Sequence, residues 1–166
     1  MKEIKNYVNQ LHRNLTYVWS NRSLNKVNQV IVHQALSEGS VEAINKYHIS
    51  PGNHISNKGC PHICYHYVID REDNILQTNL LSSIVWHCSQ RNTHSIGILV
   101  LGNFDGSSYK GTQNVLGIQV ENLRYLLSML LSKYHLNRQN VFGHNDFGKE
   151  NCPGNVITNF IRGYKE

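Results

Sequence analysis

The sequence contains no apolar run close to the length of a membrane span. A transmembrane helix needs about 20 consecutive apolar residues, whereas the longest apolar stretch, around Ile96–Leu101, has the length of a strand. The segment Met1–Leu15 alternates charged and apolar side chains and lacks the continuous apolar region of a secretory signal. We therefore expect no membrane insertion and no signal peptide, and a protein that stays cytoplasmic until it is released or exported.

The basic residues form no cluster or stripe. The 16 Lys and Arg residues outnumber the 11 Asp and Glu residues and give a net charge of +5, but they occur singly from Lys2 to Lys165. A nucleic-acid-binding surface would require a basic patch with aromatic residues between, or a recognisable module, and neither is present. We predict no nucleic-acid partner. Diffuse positive charge would suit weak attraction to any polyanion, and an anionic bacterial wall is one such partner.

The four cysteines do not form the paired knuckles of a zinc ribbon. Cys60 and Cys64 have the spacing of one half of such a ribbon, but the sequence has no second pair. A disulfide framework is also unexpected in a chain without a secretory signal. We therefore interpret Cys60 and Cys64 as packing residues or, at most, as one disulfide.

The length of 166 residues and a hydrophobic content of 40% fit a single domain over residues 1–166, with its core at about 22–160. Hydrophobic periodicity predicts helices at 2–13, 41–49, 118–135 and 156–161, the second of them capped by Ser40. Apolar and β-branched runs predict strands at 27–33, 64–69, 75–78, 84–87, 95–102 and 141–142, with a polar loop at 102–111. This alternation predicts an α/β fold, a central mixed β-sheet flanked by helices.

His144 and Cys152 lie in a loop rich in Gly and Asn, and both side chains suit zinc. The loop follows the predicted strand 141–142, and His33 ends the first buried strand. Sites collect at strand ends in α/β sheets, so His33 is a candidate third ligand. Three protein ligands would leave the fourth tetrahedral position open, which is typical of catalytic zinc sites.

Several segments match one family when they are read in order: Val30–His33, Cys64–Ile69, Trp86–His87 with Asn92, Ser95–Phe104, Gly143–Asp146 and Cys152–Gly154. Together they resemble the zinc-dependent N-acetylmuramoyl-L-alanine amidases, which include the amidase-type phage lysozymes and the peptidoglycan-recognition proteins. The resemblance covers residues 22–160, and the motifs are specific in combination rather than singly.

The resemblance implies a zinc site in a surface groove and a hydrolytic reaction. The implied ligands of one catalytic Zn²⁺ are His33, His144 and Cys152. The implied reaction is hydrolysis of the amide between N-acetylmuramic acid and the L-alanine of the stem peptide. The expected partner is therefore a peptidoglycan muropeptide, and the expected protein is a monomeric phage endolysin or bacterial lytic enzyme that acts at the cell wall. The alternative is a peptidoglycan-binding module without catalysis, although such relatives usually lose a ligand.

The resemblance also implies residues that bind or activate the substrate. Tyr65 matches the active-site tyrosine of the family, and Tyr67 would share its face of the strand and line the same groove. A strand tyrosine packed in the core is the alternative interpretation of Tyr65, but the motif around it favours the functional role. His87 and Asn92 match positions that flank the groove and are expected to contact substrate.

The second catalytic group does not follow the family's spacing. The amidase-type phage lysozymes carry a lysine two residues before the last ligand, where this sequence has Glu150 and places Lys149 one residue earlier. Lys149 is the leading candidate for contact with the oxyanion, and Glu150 could instead act as a general base. Asp146 is expected to brace the loop. His66 is expected to pack on the side of the sheet opposite Tyr65. The remaining six histidines are interpreted as surface or core-edge residues: His12, His48, His54, His62, His94 and His135.

Overall fold

The computed structural model describes residues 2–37, 39–104 and 114–166. Within these ranges the strands are β1 (Ile4–Asn6), β2 (Gln29–Gln34), β3 (Tyr67–Ile69), β4 (Ile75–Gln77), β5 (Ser95–Val100) and β6 (Val141–Gly143). The α-helices are α1 (Val41–Ile49), α2 (Gly117–Tyr134) and α3 (Asn155–Lys165). None of the helices described has the length and apolar character needed to cross a membrane.

The six strands form one mixed sheet in the order β1-β4-β3-β5-β2-β6. Strands β3 and β4 form an antiparallel hairpin, whereas the other neighbouring pairs in this sheet run parallel. The predicted hairpin and the predicted mixed sheet flanked by helices are confirmed. Because β5, β2 and β6 are parallel neighbours, their carboxyl ends meet at one edge of the sheet, where ligands bind in many α/β proteins.

The two faces of the sheet pack against different elements. Val30 and Val32 of β2 belong to the larger core, which includes the buried leucines of α2 and Ile157 and Ile161 of α3. Side chains alternate between faces along a strand, so Ile31 and His33 point to the opposite side of β2. That face carries the smaller core around α1: Val41, Ile63, Val68, Leu76, Leu99 and Leu101.

The helices that the periodicity predicts at 41–49 and 118–135 are present with almost the same bounds. Ser40 caps α1, because its hydroxyl accepts a hydrogen bond from the backbone N–H of Ala43. In α2 the stripe of Leu123, Leu127 and Leu130 is fully buried. A regular apolar stripe on a long helix specifies both the element and its buried face.

The helix predicted at 2–13 is wrong. This segment forms the short edge strand β1, which pairs with β4, and then a series of turns. The side chain of Asn6 accepts a hydrogen bond from the backbone N–H of Val8 and directs the chain into the first turn. The spacing of apolar residues matches a helix, but pairing with β4 and the asparagine turn satisfy the backbone instead.

Two predicted strands also differ from the structure. Residues 84–87 form no strand; the neighbouring Ser83 makes an isolated bridge to Asn21. The strand predicted at 64–69 begins only at Tyr67, so Tyr65 precedes β3 instead of belonging to it. Most of the loop predicted at 102–111 lies outside the described residues.

A buried arginine joins the segments that lead into β5. Arg22 is 6% exposed, and its guanidinium donates to the backbone carbonyls of Leu81, Asn92 and Ser95 at 2.6–3.1 Å. A contact of 3.1 Å also joins its Nη2 to Nε2 of His66. Burial lowers the pKa of Arg22 to about 10, which leaves the guanidinium charged at neutral pH. These contacts fix the start of β5 beside the candidate site.

Candidate metal centre

Three side chains from distant parts of the chain converge at the carboxyl edge of the sheet. The ligand atoms of His33, His144 and Cys152 all lie within 4.8 Å of one another. Nδ1 of His33 is 3.8 Å from Sγ of Cys152, and the ring centroids of His33 and His144 are 4.4 Å apart. In the described parts of the chain, no other three His, Cys, Asp or Glu side chains form such a group.

The pairing of β2 with β6 brings the two histidines together. Val32 lies opposite Gly143 in this parallel pair, so the next residues, His33 and His144, emerge side by side. His144 begins a short 3-10 helix that ends at Phe147. The carboxylate of Asp146 accepts the backbone N–H of Gly143 at 2.9 Å, which confirms the predicted bracing of the loop.

The loop then folds back so that Cys152 reaches the histidines. The N–H of Asn145 donates to the carbonyl of Cys152 at 2.6 Å, and the N–H of Cys152 donates to the carbonyl of Lys149 at 2.8 Å. A Cβ atom at Gly143 would lie only 2.8 Å from Cδ of Pro153. Glycine at this position therefore permits the close approach of the returning loop.

Gln34 fixes the loop of residues 144–152, which we call the cysteine loop, to the sheet. This side chain is 5% exposed; its Nε2 donates to the carbonyl of Asn151, and its Oε1 accepts the N–H of Phe104 at 2.5 Å. It thus joins the end of β2 to the residue before Cys152 and to the segment after β5. Sequence reasoning missed this role, because nothing in the pattern distinguishes a glutamine that bridges buried backbone groups from one at the surface.

His87 lies beneath His33 instead of in an open groove. Nδ1 of His87 is 3.0 Å from Nε2 of His33, and Nε2 of His87 is 3.0 Å from the hydroxyl of Ser95. The His87 side chain is 6% exposed. Both ring nitrogens already have partners within the protein, so the predicted direct contact of His87 with substrate does not fit this position.

Tyr65 lies next to the first candidate ligand. Its ring centroid is 5.1 Å from that of His33 and 5.8 Å from that of His48. Burial raises the pKa of the Tyr65 phenol well above its usual range, and the charge of Cys152 adds to this. The phenol is therefore neutral near pH 7 and is available as a hydrogen-bond donor beside His33.

The structure places Tyr67 and Asn92 differently from the sequence-based expectation. Tyr67 is 2% exposed and belongs to the large core beside α2, so the prediction that it shares a groove with Tyr65 is wrong. Alternation applies only within a strand, and Tyr65 precedes β3.

The Asn92 carboxamide oxygen accepts the backbone N–H groups of His87 and Cys88 at 3.0 and 2.8 Å. It thereby fixes the turn that carries His87.

Lys149 influences the cluster electrostatically. Its positive charge contributes to the lowered pKa of His144 and of His54, after the larger effect of burial. The hydroxyl of Tyr47 lies 3.0 Å from Nδ1 of His54. Lys149 is exposed and lies on the loop between the two candidate ligands His144 and Cys152. Its ammonium therefore belongs to the surroundings of the cluster.

The donor set fits a borderline-soft divalent cation. Burial lowers the pKa of His33 well below its usual range and that of His144 to about 4, so both imidazoles are neutral and offer lone pairs. Burial raises the pKa of the Cys152 thiol to about 12. A bound cation would favour the thiolate and displace that proton. Two imidazoles and one thiolate make a catalytic type of site with an open position.

Comparison with known proteins identifies one family. A family model described as N-acetylmuramoyl-L-alanine amidase matches residues 23–155. Peptidoglycan-recognition protein SC1a of Drosophila melanogaster is 29% identical over 111 residues, which is 67% of this chain. The match spans 57% of that relative's own length.

Solved structures share the fold. N-acetylmuramoyl-L-alanine amidase LysC from Clostridium intestinale superposes with a TM-score of 0.70 at 22% identity, over 93% of this chain and 91% of that one. Bumblebee PGRP-SA gives a TM-score of 0.77 at 18% identity, over 98% of this chain and 95% of that one. At these identities the likeness establishes the arrangement of strands and helices.

Proposed function

The chain belongs to the N-acetylmuramoyl-L-alanine amidase family, and from this premise we propose that it is a zinc-dependent peptidoglycan amidase. The substrate is the amide between N-acetylmuramic acid and the L-alanine of the stem peptide, and the protein acts at the bacterial cell wall. The observation that carries the proposal is the convergence of His33, His144 and Cys152 within 4.8 Å. A binding module needs no such donor set, whereas a zinc hydrolase does.

His33, His144 and Cys152 would hold the zinc ion through two imidazoles and a thiolate. When bound, zinc supplies Lewis acidity that makes a water more acidic and polarises a carbonyl oxygen. The remaining work falls to the protein, which must orient the substrate carbonyl, stabilise negative charge on its oxygen and deliver a proton to the leaving amine.

Tyr65 is proposed as the hydrogen-bond donor to the developing oxyanion. Its neutral phenol lies beside His33, with ring centroids 5.1 Å apart. A preorganised donor in a partly buried site stabilises charge that develops in the transition state more strongly than water does, because it needs no reorientation.

Replacement of Tyr65 by phenylalanine tests this role. We expect Tyr65→Phe to lower kcat by about 100-fold, the usual effect of removing one oxyanion donor, while the dissociation constant for zinc stays unchanged. Steady-state kinetics on a soluble muropeptide and a zinc competition titration measure the two quantities. Tyr125→Phe on α2 is the matched control and should behave like the parent. An unchanged kcat in Tyr65→Phe would contradict the assignment.

Lys149 is proposed as the second catalytic group. Its ammonium acts on His144 and on His54 across the site, so it can stabilise negative charge on the substrate carbonyl or peptide. Glu150 is also exposed and follows Lys149 in the same loop. Substrate would then pass between the cysteine loop and the Tyr47–His54 pair.

Paired alanine variants distinguish these two neighbours. We expect Lys149→Ala to reduce kcat/KM by about 10- to 100-fold, because a charge that stabilises the oxyanion is lost, and Glu150→Ala to leave it unchanged. Lys149→Arg should recover part of the rate, since it restores the positive charge. A silent Lys149→Ala together with a damaging Glu150→Ala would instead assign the role of general base to Glu150.

Binding of peptidoglycan without cleavage is the second candidate function, and the name of the recognition protein SC1a favours it. The zinc-loaded protein is therefore incubated with purified sacculi. The amidase proposal predicts release of amino-terminal L-alanine without new reducing sugar ends. Sedimentation with intact sacculi and no released amine would favour the binding module, and new reducing ends would indicate a glycosidase.

A further inference from the structure

Hydrogen bonds behind His33, one of the three candidate metal ligands, determine which of its ring nitrogens carries the proton. The chain of contacts runs from the carbonyl of Arg91 through Ser95 and His87 to His33. The Ser95 hydroxyl has a single hydrogen, and it donates to the Arg91 carbonyl at 2.8 Å. A carbonyl can only accept. The Ser95 oxygen is therefore left to accept from Nε2 of His87 at 3.0 Å.

This assignment determines the tautomers of both histidines. His87 is buried, and its ring nitrogens contact an imidazole and a hydroxyl instead of a carboxylate. A buried charge without an opposite partner is costly, so the ring is neutral and carries one proton. With that proton on Nε2, Nδ1 of His87 is an acceptor, and the contact of 3.0 Å to Nε2 of His33 requires a proton on His33 Nε2. The lone pair of His33 then lies on Nδ1, which is the atom 3.8 Å from Sγ of Cys152.

The sheet itself is shaped to hold His87 in this orientation. A Cβ atom at Gly97 on β5 would lie 2.6 Å from Cγ and 2.8 Å from Nδ1 of His87. Any side chain larger than hydrogen at this position would therefore displace the ring. Asn92 holds the backbone of the same residue, because its oxygen accepts the N–H of His87.

We propose that His87 is a positioning residue that, oriented by Ser95, holds His33 with its proton on Nε2 and presents the Nδ1 lone pair to the metal. This role rests on the proposed function, because it requires His33 to be a metal ligand. Partners of this kind fix the orientation and tautomer of a metal-binding histidine, and their loss usually weakens metal binding by 10- to 100-fold.

Removal of the Ser95 hydroxyl is the first test. In the metal-free full chain, long-range proton–nitrogen NMR should show the proton on Nε2 in both His33 and His87. In Ser95→Ala the opposite tautomer of His33 should become populated, and the dissociation constant for zinc should rise by about tenfold or more. Ser83→Ala removes a hydroxyl outside this hydrogen-bonded chain and should match the parent in both measurements.

Two variants of His87 keep the test decisive if Ser95→Ala does not fold. His87→Gln retains an oxygen that can accept from His33, whereas His87→Leu retains no acceptor. Zinc affinity should therefore fall less in His87→Gln than in His87→Leu. A proton on Nδ1 of His33 in the parent, or equal zinc affinity in both His87 variants, would overturn the proposal. Neither readout requires hydrolysis, so failure of the amidase assay alone would leave it standing.

Discussion

Cys152→Ser should abolish hydrolysis of peptidoglycan, with kcat/KM at least about 1,000-fold below that of the parent. In the proposed zinc site, the Cys152 thiolate would be the anionic ligand, and a serine hydroxyl is a poor replacement because it stays protonated near neutral pH. A Lewis acid contributes several kcal/mol to stabilisation of the transition state, and each 1.36 kcal/mol corresponds to about a factor of ten in rate. Loss of the metal therefore accounts for an effect of this size.

Metal content and kinetics measure this prediction together. The Cys152→Ser protein should retain little zinc after dialysis, although its thermal unfolding should remain cooperative. Cys60→Ala is the matched control: Cys60 is buried in a separate cluster with Trp19, Cys64 and Val85, so zinc content should match that of the parent. Parental turnover by zinc-free Cys152→Ser would show that the reaction does not depend on this cluster.

Arg22→Ala should lower the free energy of unfolding by about 3 kcal/mol or more. The substitution removes the donor to the buried carbonyls of Leu81 and Ser95 and to the partly buried carbonyl of Asn92. Each unsatisfied buried group costs about 1–3 kcal/mol. Domains of this size are stable by only about 5–15 kcal/mol, so the effect should be large in chemical denaturation.

Two further arginine variants separate the loss of hydrogen bonds from the loss of charge and provide a surface control. Arg22→Lys keeps the charge but loses the planar fork that reaches several carbonyls at once, so we expect an intermediate loss. Arg124→Ala removes an exposed guanidinium that lies 5.2 Å from the ring centroid of Phe160 and should cost no more than about 1 kcal/mol. An equally small effect in Arg22→Ala would contradict the structural role of its hydrogen bonds.

The elements that the sequence predicts correctly are those with strong local signals. The leucine stripe of α2 and the Ser40 cap of α1 identify their helices without reference to the rest of the fold. The continuous apolar run of β5 similarly identifies a strand buried on both faces. The N-terminal segment lacks such a signal: its apolar spacing fits a helix, but the pairing of β1 with β4 decides its structure.

In the candidate site, too, the sequence predicts the residues that belong to strong motifs and misses the residues that support them. Order and spacing within the family motifs were enough to select His33, His144 and Cys152, and the fold brings them together. Residues that support this cluster could not be recognised from the sequence. The role of Gln34 depends on which backbone groups lie beside it, and the position of His87 under His33 depends on the missing side chain at Gly97. Such roles arise from packing between segments that are distant along the chain.

We propose that the protein hydrolyses one particular amide bond. The most direct test is digestion of a purified muropeptide in oxygen-18 water, followed by mass spectrometry of both fragments. The amidase account predicts one oxygen-18 atom in the lactyl carboxylate of N-acetylmuramic acid and an unlabelled peptide with a free amino-terminal L-alanine. Label at a sugar carbon or within the peptide, or recovery of the intact muropeptide with zinc-loaded protein, would contradict it.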